Sequence, residues 1–223
     1  MPESAVADAL AQTPACTAAR DALREVAAMF HHRGWALGTS GNYSVVIQQR
    51  PLRLLLSASG REKRRLSEAD FVIVDERGLP LDAHDPRPSA ETMLHVVLAQ
   101  RGGIGSVLHT HSVWNTLLSD VHGDKGALRI SGYEMLKGLA GVMTHETIVR
   151  VPIFENTQDI PSLARRVADE VGGEAPHAFL IRGHGLYTWG KDLAEAVRHV
   201  EVLEFLFEVV GRREGFVQDG ESI

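Results

Sequence analysis

The stretch IGSVLHTHS, residues 104–112, is an apolar run that ends in two histidines one residue apart. Its first six residues predict a strand, and in a strand positions i and i+2 face the same way. His109 and His111 then present both imidazoles to one side, as two metal ligands on one element must. A second apolar run, HAFLI at 177–181, leads into LIRGHGLYTWG at 180–190, where His184 stands between two glycines that let the backbone bend closely around the ring. Three imidazoles that leave a fourth position open describe a catalytic zinc site and not a closed structural one. The other histidines (His31, His32, His84, His95, His122, His145, His177 and His199) are read as ordinary surface or core residues.

Outward from these two runs, helical and extended patterns are interspersed. Residues 17–33 place Ala22, Val26, Met29 and Phe30 at helical spacing, with Gly34 as the residue that closes the helix. NYSVVIQ, LRLLLSAS and FVIVD are β-rich runs that follow each other directly. Pro88-Ser89 announces a helix with Ser89 as N-cap and Met93, Leu94, Val97 and Leu98 on its apolar face. Short helices are expected at 112–119 and 134–139, a longer one over 160–171, and further strands at 147–153 and 186–189. The last helix, with Val197, Val200, Leu203, Leu206, Phe207 and Val210 in register, starts behind Asp192 as N-cap. Strict βαβ alternation is missing. The predicted fold is an α/β three-layer domain, its central sheet mostly antiparallel or mixed and flanked by helices.

Bulk properties set outer limits. The chain has 223 residues, 44% hydrophobic and 23% charged, which suits one soluble domain able to bury roughly 70% of its unfolded surface. Cys16 alone excludes an internal disulfide and suits a reducing cytoplasm. No apolar run is long enough to span a membrane, and the N-terminus is a poor signal peptide. A net charge of −6 argues against nucleic acid as a partner. The one basic run, Arg61-Glu-Lys-Arg-Arg65, reads as a solvated loop that can serve a phosphate locally.

Two loops carry anion chemistry. Gly38-Thr39-Ser40-Gly41-Asn42 and Ser57-Ala-Ser59-Gly60 combine glycines with hydroxyl and amide donors, and with Ser89 they supply three places to hold one phosphate. Gly185-Leu-Tyr-Thr-Trp-Gly190-Lys191-Asp192 only imitates a nucleotide P-loop, because it ends in Asp where a magnesium-binding hydroxyl is required.

GTSGNYSV, SASGR, PSAET, HTHS and GHGLYTWG, in this order, resemble the class II aldolase/adducin family over residues 17–212, with 1–16 and 213–223 left as tails. YEMLKG at 133–138 and VPIFENT at 151–157 narrow the resemblance to a dehydratase branch that acts on 5-methylthioribulose 1-phosphate in methionine salvage. The resemblance implies one Zn2+ per subunit on His109, His111 and His184, and a homotetramer with sites near its interfaces. It implies phosphate contacts from Thr39, Gly41, Asn42, Ser59, Gly60 and Ser89. Ala90 departs from the aldolases, which carry a second serine there. Two glutamates compete for the acid/base role. Glu134 matches the dehydratase position and is assigned it; Glu91 matches the aldolase base and is held as an outer-sphere group or alternate ligand. The expected substrate is a small phosphorylated ketose, with aldol cleavage or epimerisation as the alternative chemistry and a non-catalytic scaffold as a third reading. Trp114, Phe154 and Met135 are candidates for the methylthio pocket, each equally explained as core.

Overall fold

The computed structural model describes residues 3–171 and 177–218. Its elements run α1 (Glu3–Ala11), α2 (Pro14–His32), β1 (Asn42–Gln49), β2 (Leu52–Ser57), β3 (Phe71–Val74), α3 (Thr92–Ala99), β4 (Ser106–Thr110), α4 (Val113–Val121), β5 (Ala127–Ile130), β6 (Val149–Phe154), α5 (Ile160–Glu170), β7 (Ala178–Ile181), β8 (Gly185–Gly190) and α6 (Leu193–Gln218). The strands form one eight-stranded sheet in the order β3-β2-β1-β4-β8-β7-β6-β5. All neighbours are antiparallel except β6 and β7, so the sheet is mixed, as the pattern predicts.

Alternation along the strands builds the two outer layers. In β2, Leu55 joins the core under α2 while Leu54 and Leu56 pack beneath α3. In β4, Leu108 faces α2 and α6, whereas Val107 faces α3 and α5. In β8, Leu186 lies against α4 and α6, and Tyr187 and Trp189 against α5. The sheet is therefore sandwiched between α2, α4 and α6 on one side and α3 and α5 on the other. His109 and His111 share the parity of Val107 and emerge on the α3/α5 side.

Several boundaries differ from the sequence reading. Residues expected as an N-terminal tail form α1 and the first turn of α2, because Ala7 and Cys16 find apolar partners and Thr13 caps α2 by accepting from Cys16 N at 3.2 Å. α6 extends beyond 212 to Gln218. Residues 1–2 and 219–223 of the expected tails lie outside the described residues. α3 begins three residues after Ser89; the 89–92 segment is instead a turn in which Thr92 Oγ1 donates to the Ser89 carbonyl at 2.6 Å. Asp192 caps α6 as expected, accepting from Glu195 N at 2.8 Å. Phe154 is core, packed on Phe179, and so is no pocket residue. Among the described residues no helix is long and apolar enough to cross a membrane.

One packing contact bears on the segment after β4. Glu204 of α6 is buried, and its Oε1 accepts from Asn115 Nδ2 at 2.8 Å and from Thr110 Oγ1 at 3.4 Å while Oε2 has no partner. Burial pushes this carboxyl up to about 7, against the opposing pull of the polar groups of Ser112, Asn115 and Thr110 beside it. A folded-state value raised above the unfolded one means the folded chain keeps a proton the unfolded chain has released. Stability from this group is therefore present below the ordinary value of 4.5 and is lost as pH rises towards about 7. Glu204→Gln keeps the accepting oxygen and removes the charge. It is expected to match the parent in urea unfolding at about pH 4.5 and to exceed it by a few kcal/mol at about pH 8. An equal difference at both pH values would contradict this.

Candidate active site

The site grows from a rank of residues across the sheet. Asn42 of β1 is paired with His109 of β4, His109 with Tyr187 of β8, and Tyr187 with Phe179 of β7. All four point to the α3/α5 side, and the rings of His109 and Tyr187 stack at 4.0 Å and 12°. His109 is fully buried, and its Nδ1 is 2.9 Å from the Leu186 carbonyl. A carbonyl only accepts, so Nδ1 carries the proton and Nε2 faces the site with its lone pair. His111 is held just past the strand end by its N–H, which donates to the Trp35 carbonyl at 2.8 Å. Its Nε2 lies 2.8 Å from that of His109.

His184 completes the group from the tight turn between β7 and β8, with ring centroids 5.1 Å from His109 and 4.7 Å from His111. Gly183 has φ +59, and a Cβ on Gly185 would meet Thr110 O at 2.4 Å and His109 Cε1 at 2.9 Å. Both flanking glycines are thus required, one for its conformation and one for its closeness to the other two ligands. Ligand atoms of the three histidines all lie within 4.8 Å of one another. Burial pulls His109 well below the usual imidazole range, with His184 adding to it, and pulls His111 down to about 3, with His109 adding to it. Three converging imidazoles, one with its tautomer fixed by a carbonyl, fit a divalent transition metal.

Glu91 crosses this group. Its carboxylate oxygens are 3.3 Å from His184 Nε2 and 3.5 Å from His109 Nε2, and its side chain is only 15% exposed. Asn42 Nδ2 donates to Glu91 at 2.9 Å and to Ser89 Oγ at 3.2 Å. The amide is fixed in that sense by His95, whose Nε2 hydrogen-bonds Asn42 Oδ1 and whose Nδ1 meets Ser44 Oγ at 2.8 Å. With Ser44 donating to His95 and His95 to Asn42, every bond runs towards the Glu91 carboxylate. Burial pulls His95 down to about 4, opposed by Glu91, which keeps the ring neutral in this relay. Burial, and then the Glu91 charge, pushes the Tyr187 phenol well up.

A cavity of about 300 Å³ opens beside the group, lined by Ser59, Ser89, Glu91 and His184 from the expected set. Ala90 also lines it, as do Asn156, Thr157 and Gln158 from the loop after β6, which the sequence reading did not assign to the site. Their signal was a polar run directly behind the apolar strand VPIF. The glycine-rich loop lies alongside: Gly41 has φ +77, and a Cβ there would meet the His109 carbonyl at 2.7 Å. Thr39 is exposed and Gly60 turns its loop at φ +69.

Glu134 is not brought to this cavity by its own chain. It begins a 3-10 turn, Glu134–Gly138, with its side chain 71% exposed and paired to Lys137 at 2.6 Å and His145 at 3.5 Å. The Lys137 hydrogen bond and charge hold its carboxyl below the usual range. The arginines of the basic run are exposed as expected, but Lys63 between them is buried.

A mixed three-layer sandwich with three converging imidazoles at the end of a central strand, beside a glycine-rich loop, defines an α/β protein with a group able to hold a metal on one sheet face. Residues 21–210 match the family described as Class II Aldolase and Adducin N-terminal domain, and the chain belongs to that family. It is 45% identical over 193 residues to a methylthioribulose-1-phosphate dehydratase of Marinobacter nauticus, covering 85% of this chain and 91% of that one. It is 45% identical over 185 residues to the protein of the same name from Methylococcus capsulatus, covering 82% and 88%. In fold it is similar to the L-fuculose-1-phosphate aldolase of Thermus thermophilus, with a TM-score of 0.69, 24% identity and coverage of 91% and 97%.

Because Gly185 leaves no room for a methyl group, Gly185→Ala is expected to displace His109 or His111. Metal affinity should then fall by about 10-fold or more while far-ultraviolet circular dichroism is retained. Unchanged metal content after dialysis against a chelator would contradict the close-approach argument.

Proposed function

We propose that the chain dehydrates 5-methylthioribulose 1-phosphate to 2,3-diketo-5-methylthiopentyl 1-phosphate, a cytoplasmic step of methionine salvage, through a catalytic domain spanning 17–212. The observation that carries this reading is a cluster of three histidines, one of which, His184, lines a cavity together with Glu91, Ser59 and Ser89, in a chain 45% identical to dehydratases of that name. His109, His111 and His184 would hold one Zn2+ per subunit, which when bound supplies a Lewis acid for the substrate carbonyl.

The chain's own groups do the rest. Thr39, Gly41, Asn42, Ser59, Gly60 and Ser89 hold the phosphate and so fix which face of the ketose meets the base. Glu134 takes the proton from C3 and returns a proton to the hydroxyl leaving C4, which departs as water. The enol that remains tautomerises to the 2,3-diketone. Lys137 keeps Glu134 ionised and ready for the first transfer. An exposed carboxylate can serve a cavity only when something brings the two together, and the proposed homotetramer does so by placing Glu134 at a neighbouring subunit's site. Val113, Leu117 and Val121 support such an assembly: they form an exposed apolar stripe along α4 at four-residue spacing.

Glu91 favours a second reading on the same centre, since it alone of the two glutamates touches the histidines. Acting as base on the C4 hydroxyl, it would direct cleavage of the C3–C4 bond.

Phosphorus and proton NMR of 5-methylthioribulose 1-phosphate with metal-loaded protein separate the two. The five-carbon diketone phosphate is expected; dihydroxyacetone phosphate with methylthioacetaldehyde would contradict the dehydratase reading. Glu134→Gln should lower kcat by about 10²-fold or more, and mixing it with inactive His184→Ala under subunit exchange should restore part of the activity. No recovery from the mixture would confine the site to one chain.

A further inference from the structure

Lys63 is among the most buried side chains of the molecule, at 1% exposure, although it lies in a run whose arginines are all at the surface. Its Nζ donates to the carbonyl of Thr39, in the first loop assigned to the phosphate, at 3.2 Å and to that of Arg61, the residue directly after the second, at 2.8 Å. An ammonium has three donors; these two bonds use two of them and leave the charge unneutralised. Among the described residues no carboxylate forms an ion pair with it. Asp70, whose charge acts on it, is already bound by Arg61 at 3.2 Å and by Ser67 N and Oγ at 2.8 and 2.7 Å.

Burial pulls the Lys63 ammonium down to about 8, with Asp70 opposing. The turn that carries Lys63 packs against α2, and its ammonium reaches from there to the carbonyl of Thr39. Burying a charge is costly unless a counter-charge accompanies it, and folds keep such groups where a ligand supplies the partner. Here the unpaired cation lies behind Thr39 and beside Ser59-Gly60, and the missing partner is an anion that arrives at those loops.

We propose that Lys63 is the buried counter-charge for the phosphomonoester dianion of the substrate, a positioning residue that acts through the two loops it ties together. This rests on the phosphate-site reading above. The alternative role is a purely structural clamp between the loops.

The test uses metal-loaded full-length protein and two probes: inorganic phosphate, and unphosphorylated 5-methylthioribulose, which needs the same cavity without the charge. Lys63→Gln keeps a donor for the carbonyls and Lys63→Met removes it. Both variants are expected to lose about tenfold or more in inorganic phosphate affinity by calorimetry, while metal content and affinity for the uncharged ketose stay within about twofold. KM for the phosphorylated substrate should rise by more than kcat falls. Phosphate binding by Lys63→Gln equal to the parent's would overturn the inference alone, and so would equal losses for both probes, the signature of a clamp. A parent protein that binds neither phosphate nor the phosphorylated ketose would overturn the functional reading and this inference with it.

Discussion

The register of β4 between β1 and β8 is the constraint on which the site depends. It places Asn42, His109, Tyr187 and Phe179 in one row on the same face of the sheet. A slip of one residue would turn every side chain of the strand over to the other face. His109 and His111 would then face α2 and α6, and Leu108 would be exchanged into the polar site. That alternative is opposed from both faces by buried residues, Leu108 under α2 and Val107 under α3 and α5. Deleting either side chain's methyl groups is worth about 1–5 kcal/mol, so the hydrophobic layers themselves hold the imidazoles in position.

On that frame, short-range geometry and electrostatics complement each other. Gly185 and Gly41 are packed so closely on Thr110 and His109 that the loops carrying His184 and Asn42 come into contact with β4 itself. Glu91 stands where it can touch two histidines, and the Ser44–His95–Asn42 chain aims donors at it. Lys63 adds an unpaired positive charge behind the loops. Burial disfavours the charged forms of His109 and His111 and so favours the neutral state a metal ligand requires. Three converging imidazoles and an oriented carboxylate thus meet at the end of β4 from segments far apart in the chain.

Much of this was legible because its signals are local. The i, i+2 spacing of His109 and His111 settles their shared face, and the glycines around His184 announce a close approach. Lys63 was hidden because a basic run reads as solvated, and burial of one member depends on contacts distant in sequence. Ser89 looks like a helix cap, yet it accepts from Asn42 and Glu91 N in a turn before α3, a role set by β1. β5 and the N-terminal helix are short and weakly patterned, so only packing defines them. Asn156–Gln158 enter the cavity because β6 ends there, which requires the strand order. Glu134 was found through resemblance alone: within its own chain it is exposed and paired only with its neighbours Lys137 and His145, so no local pattern sets it apart from an ordinary surface carboxylate.

The central claim is that His109, His111 and His184 form one metal centre beside a phosphate site. Anomalous diffraction at the metal's absorption edge, from crystals of the purified protein soaked in inorganic phosphate, tests it most directly. The account predicts one anomalous peak per chain within bonding distance of all three imidazoles, with phosphate density at the Ser59 and Ser89 loops. A metal bound elsewhere, or a peak unchanged in His109→Ala, would contradict it.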